Sequence, residues 1–129
     1  MNGSHALTDG VEVTVRVGFV ESQSAPEDDR YFFAYEVTVE NVGDEAVQLV
    51  SRHWIIADGT GEEREVRGPG VVGEQPVIEP GELFSYTSYC PIETPVGSMR
   101  GSFRMVKGDG AAFDAKVAPF TLAVPNILH

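Results

Sequence analysis

The sequence predicts an all-β domain, an antiparallel sandwich of seven or eight strands, and three observations carry that prediction. Apolar residues recur at every second position in several separate runs. The runs are short and are separated by Gly, Pro, Asn and Asp. No window of eleven or more residues carries the three-to-four spacing of an amphipathic helix. Alternation with a period of two means a strand with one face buried. Many such strands at turn-punctuated spacing mean two packed sheets or a barrel.

The elements follow in order. Val11, Val13, Val15, Val17 and Phe19 fall on one side of the first strand, with Glu12, Thr14, Arg16 and Gly18 opposite. Residues 21–30 (ESQSAPEDDR) are acidic, polar and interrupted by Pro26, which predicts a solvated loop. Alternation resumes with Tyr31, Phe33, Tyr35, Val37 and Val39, and Asn41 to Asp44 supplies turn chemistry. In residues 47–58 neither the odd nor the even set is cleanly apolar. A bulge near Arg52–Trp54 would shift the phase by one and turn both Leu49 and Trp54 inward. Asp58-Gly59-Thr60-Gly61 closes a hairpin, and residues 62–67 form a polar, exposed return arm. Pro80-Gly81 suits a type II turn. Residues 83–90 and 99–105 make two further strands, and Pro119 places the last strand at an edge or a bend. Residues 1–8 are assigned no structural role, a flexible N-terminal segment ahead of a single domain over 9–129.

Composition narrows the function mainly by exclusion. With 129 residues, 42% of them apolar, the chain can bury one core without staples. A net charge of −11, with only nine Lys and Arg, argues against nucleic acid as a partner. The single Cys90 permits neither an internal disulfide nor a thiolate metal cluster. Without a Cys pair the immunoglobulin bridge is missing, so a fibronectin type III-like sandwich is the better expectation. No apolar run is long enough to span a membrane and no signal peptide opens the chain, so the expected location is cytoplasmic.

Each candidate site has a structural role as its alternative. Gly68, Gly70 and Gly73 match the dinucleotide fingerprint as a string, but Glu74-Gln75-Pro76 follows where a helix would be needed. What survives is an anion-binding loop, a nest of backbone N–H groups at Gly68, Gly70 and Gly73 with Arg67, and Arg64 or Arg52, adding charge. A tight structural loop is the stronger reading. His5, His53 and His129 form no ligand cluster in sequence, so no metal site and no cofactor are expected. The carboxylates Glu27, Asp28, Asp29, Asp44 and Glu45 match no calcium loop and are expected to be solvated. Ser85, Ser88 and Cys90 lack a base at any recognisable spacing. Trp54, Phe84, Tyr86 and Tyr89 are core residues or, if exposed, a partner patch.

Several strings then add up to a resemblance: SRHWIIADG, EVRGPGVVGEQPVIEPGELFSYTS, TPVGSMRGSFRMV and FDAKVAPFTLAVP. Together they closely resemble the ApaG (CorD) family over about residues 9–129, with His53-Trp54, Gly68–Gly73, Pro80-Gly81-Glu82 and Met99-x-Gly101 as that family has them. Tyr89 stands where many relatives carry Gly, a local change in the loop approach. The resemblance implies a fibronectin type III-like sandwich. It also implies a link to cobalt resistance and magnesium efflux, a protein-interaction role where the domain is fused to other modules, and a suggested pyrophosphate or nucleotide site in the Gly loop. The resulting expectation is a non-enzymatic interaction module with an indirect role in divalent-cation balance. Its expected partner is a protein; a phosphate-bearing small ligand and a homodimer through an edge strand are the other options.

Overall fold

The computed structural model describes residues 2–125, which form nine strands in two antiparallel sheets. They are β1 (Asn2–Thr8), β2 (Val11–Phe19), β3 (Tyr31–Asn41), β4 (Val47–Ala57), β5 (Glu63–Pro69), β6 (Val77–Ile78), β7 (Leu83–Ile92), β8 (Val96–Lys107) and β9 (Ala112–Ala123). One sheet has the order β1-β2-β3-β7 and the other β5-β4-β8-β9, with the two-residue β6 paired to β4. Two single-turn 3-10 helices, Glu21–Gln23 and Pro26–Asp28, stand within the acidic loop. The sandwich expected from alternation is therefore what forms, with β1 and β6 beyond the expected seven or eight strands. Among the described residues no helix is long and apolar enough to cross a membrane.

The N-terminal expectation is corrected. Asn2–Thr8 is not a loose end but an edge strand, paired with β2 from Asn2↔Val17 to Thr8↔Val11. Its half-buried positions are Ser4, Ala6 and Thr8, while His5 and Leu7 face out. Hydrophobic periodicity misses a strand whose inward side is small and polar. This strand also closes one side of the sandwich: β1 lies beside β9, and the Lys116 N–H donates to Thr8 Oγ1 at 3.1 Å.

Inward residues of both sheets form one core. Val11, Val13 and Val15 of β2 and Phe33, Tyr35, Val37 and Val39 of β3 meet Leu49, Trp54, Met99, Phe103, Phe120 and Leu122. Trp54, 3% exposed, is the hub. Its ring centroid lies 5.4 Å from Tyr35, 5.9 Å from Phe103 and 6.0 Å from Phe120, all three edge-on, as ring quadrupoles prefer. The expected phase shift exists but falls earlier: the β4–β8 register slips between Leu49 and Ser51, so Val50 is the extra residue. That slip lets Leu49 and Trp54 share the inner face. Opposite Trp54 sits Gly101, where any Cβ would run into the His53 carbonyl. The glycine is demanded by close strand approach rather than by a turn.

Candidate functional site

The side of the sandwich away from β1 and β9 is open. Here β5 and β7 end their respective sheets, and each pairs on one side only. One side chain crosses the gap: Arg64 Nη2 of β5 donates to the Pro91 carbonyl of β7 at 2.7 Å and lies 3.7 Å from Cys90 Sγ. Burial pushes the Cys90 thiol up, and the neighbouring Arg64 guanidinium only partly offsets that. A thiol so held is a poor nucleophile.

The free edge of β5 can be resolved group by group. Asp58 N–H donates to the Glu62 carbonyl at 3.0 Å and Gly70 N–H to the Val50 carbonyl at 2.9 Å, and the β4–β5 register is unbroken between those ends. Hydrogen-bonded pairs alternate in an antiparallel ladder. The even residues Arg64, Val66 and Gly68 therefore spend their backbone groups on β4. The N–H and C=O of Glu63, Glu65 and Arg67 point away from the sheet. Pro69, with no N–H, ends the row, as prolines in sheets do at edges. All of Glu63 to Arg67 is exposed, which matches the expected polar arm.

At the Glu63 end of this edge lies a cleft of about 720 Å³ between the sheets. Six carboxylates line it (Asp28, Asp29, Asp58, Glu62, Glu63 and Glu93) against two arginines, Arg30 and Arg64. Asp58 is committed to its own turn: its Oδ1 accepts from Thr60 N–H (2.9 Å) and Thr60 Oγ1 (2.6 Å), which holds its carboxyl below the usual range. Glu63 pairs with Arg100 at 3.2 Å. Among the described residues, no ion pair involves Asp28, Asp29, Glu62 or Glu93. Sequence reading noted Asp28 and Asp29 only as solvated loop charge and missed the grouping. No spacing rule joins residues 28, 62 and 93, because the fold alone brings their loops to one end.

The Gly loop is a tight turn. Val71 and Glu74 exchange both backbone hydrogen bonds, at 2.8 and 2.9 Å, so Gly70 and Val71 N–H are already used within the chain. Gly70 has φ +59°, and a Cβ there would meet the Glu74 carbonyl. Arg52 Nη1 lies beneath, donating to the Pro69 and Gly70 carbonyls at 3.1 Å each. The strand leads on into β6, not into a helix. Replacing Gly70 with Ala is expected to cost about 1–3 kcal/mol, from left-handed backbone strain and the clash together. Urea unfolding checks this, and an unchanged midpoint would contradict it.

The remaining candidates are dispersed. His53 stands on the outer face of β4, its Nε2 2.6 Å from Glu65 Oε1, while Arg67 Nη2 donates to the same oxygen at 3.2 Å. Both contacts, the His53 bond first, hold the Glu65 carboxyl low. Ser85 pairs with Thr38 on the outer face of the other sheet, at 2.9 Å. His5 contacts Glu12 at 2.9 Å, and His129 lies outside the described residues. Of the aromatic candidates, Trp54 and Tyr86 are core and Phe84 is half-buried. Tyr89, 57% exposed, lies against Phe32 with ring centroids 5.6 Å apart. Among the described residues no group of three or more His, Cys, Asp or Glu stands close enough to hold a metal ion.

Fold and edge together define a small antiparallel β-sandwich domain with one closed and one open side. The ApaG domain model matches residues 21–107. "Protein ApaG" of Anaeromyxobacter dehalogenans (strain 2CP-C) is 57% identical over 126 residues, covering 98% of this chain and 99% of that protein; its counterpart from Azoarcus sp. (strain BH72) is 53% identical with the same coverage. The chain belongs to the ApaG family. Among solved structures, the putative ApaA protein from Bordetella pertussis superposes with a TM-score of 0.88 at 47% identity, covering 91% of this chain and 95% of that one.

Proposed function

We propose that this domain is a non-enzymatic interaction module that receives an extended segment of a protein partner along β5. The observation that supports this reading is the outward row of backbone donors and acceptors at Glu63, Glu65 and Arg67, left free on an exposed edge. Adding a strand to such an edge is a recurring mode of peptide recognition, with main-chain hydrogen bonds giving the affinity. Any role in divalent-cation balance is then indirect and runs through the bound partner.

Glu65→Pro tests the proposal cleanly. It deletes an outward N–H while leaving every β4–β5 backbone hydrogen bond in place. The contacts of the Glu65 carboxylate with His53 and Arg67 are lost as well, on an exposed face, and the expected loss of stability is about 1 kcal/mol. A benzophenone side chain at Arg67, introduced in cells that make the protein, should capture one protein reproducibly, and Glu65→Pro should abolish that capture. The same probe at Arg16, on the outer face of the other sheet, should capture nothing reproducible. Equal capture from both positions, or capture indifferent to the proline, would sink the reading.

A second reading rests on a separate feature. Arg67, His53, Ser102 and Lys116 lie in one transverse row across β5, β4, β8 and β9. Arg67, His53 and Ser102 of that row border a hollow of about 470 Å³ beside Gly68, together with Arg52, Arg104 and Asp114, the last paired with Arg104 at 3.0 Å. In a chain of net charge −11, a hollow lined by three arginines against one carboxylate, with Glu65 beside Arg67 and His53, is a local excess of positive charge suited to a phosphate group. Titration with pyrophosphate decides it. Shifts at the Ser102 and Lys116 amides support a sheet-face site, shifts at Gly70–Gly73 support the loop, and none at millimolar ligand removes both.

A further inference from the structure

We infer that the segment taken up by β5 is basic where it leaves the strand beside Glu63; this rests on β5 being the docking edge. Pro69 stops the hydrogen-bonding row at one end. A strand that pairs with Arg67, Glu65 and Glu63 and continues must therefore run past Glu63. Its next residues enter the 720 Å³ cleft, where Asp28, Asp29, Glu62 and Glu93 carry carboxylates with no cationic partner among the described residues.

Four unpaired like charges facing a common space repel one another. They attract Lys or Arg side chains arriving from outside. Arg64, whose guanidinium donates to the Pro91 carbonyl, keeps its charge but leaves the lining at six carboxylates against two arginines. Arg30, the other cation, lies over the Phe32 ring at 5.5 Å. The middle of the segment meets a different surface. Opposite Val66 and Arg64 the added strand looks inward over the open gap, where small or β-branched apolar side chains fit. The recognised chemistry is an extended segment with alternating apolar residues in the middle and two or three Lys or Arg at one end.

Three acetylated, amidated peptides serve as probes: Lys-Arg-Lys-Val-Thr-Val-Thr-Val, its reversal with the basic residues at the C-terminal end, and Glu-Asp-Glu-Val-Thr-Val-Thr-Val. One basic peptide should shift the amide signals of Glu63, Glu65 and Arg67 in the ¹⁵N-labelled full chain. Which one does so reports strand direction, since an antiparallel strand brings its C-terminal end to Glu63. That peptide should bind at least tenfold more tightly than the acidic one, with the advantage shrinking as salt rises. The surface variant Glu62→Lys/Glu93→Lys should erase the advantage while the β5 shifts persist. Equal binding of basic and acidic peptides at β5 would overturn the charge assignment and leave the docking edge standing. Shifts confined to another surface, or none, would overturn both. A concentration-dependent dimer without peptide, abolished by Glu65→Pro, would give the edge to a second copy of this chain and overturn the assignment as well.

Discussion

Trp54→Ala is expected to lower stability by about 3–5 kcal/mol, the range for truncating a buried large aromatic. The indole touches Tyr35, Phe103 and Phe120, which belong to β3, β8 and β9, so one truncation opens both sheets of the core. A domain of this size holds only about 5–15 kcal/mol in all. Urea unfolding should show the loss as a lower midpoint at an unchanged slope. Trp54→Phe sharpens the test. Trp54 Nε1 is buried with no hydrogen-bond partner among the described residues, so removing that N–H forfeits no bond to them. Phe should cost well under half of what Ala costs. A loss below about 1 kcal/mol for Ala would mean that Trp54 is not the hub of this core.

Asn41→Leu should cost about 2–4 kcal/mol although it adds apolar surface to a buried site. Asn41 is 1% exposed, and its side chain makes three hydrogen bonds. Nδ2 donates to the carbonyls of Glu45 (2.7 Å) and Ile78 (2.9 Å), and Oδ1 accepts from Gly43 N–H (3.0 Å). Its backbone is tied to the Pro80-Gly81 turn as well: Asn41 N–H donates to the Glu82 carbonyl and Gly81 N–H to the Asn41 carbonyl. One residue thus pins the end of β3, the loop to β4 and the approach to β7. Leucine strands three backbone groups, each with its own desolvation cost. Asn41→Asp is the isosteric control. It keeps the acceptor but cannot donate to the two carbonyls, so it should fail to restore stability at neutral pH. Full rescue by Asp would show that shape, not donation, is what the site requires.

The fold was legible wherever inward positions carry large apolar groups. Val11 to Val15 and Phe33 to Val39 announce their buried face, and the slip at Val50 betrays itself because neither phase of residues 47–58 is apolar alone. β1 was illegible because its inward side is Ser4, Ala6 and Thr8, and burial of small polar groups leaves no hydropathy signal. Asn41 read as turn chemistry, since nothing local reveals that the Ile78 carbonyl, 37 residues on, needs its amide. The free edge at residues 62–67 was visible as a polar run interrupted only by Val66. The acidic cleft was not, because three distant loops supply it.

The mixed charges of β5 have a consequence for colloidal behaviour. Bare strand edges seed cross-β growth when they are long, flat and apolar. Here Glu63, Arg64, Glu65 and Arg67 make a parallel in-register stack of identical copies set like against like at four rungs, while Pro69 shortens the template. Replacing those four side chains by Thr and Val is therefore expected to bring on fibre formation, read as a rise in thioflavin T fluorescence that the unchanged chain does not show.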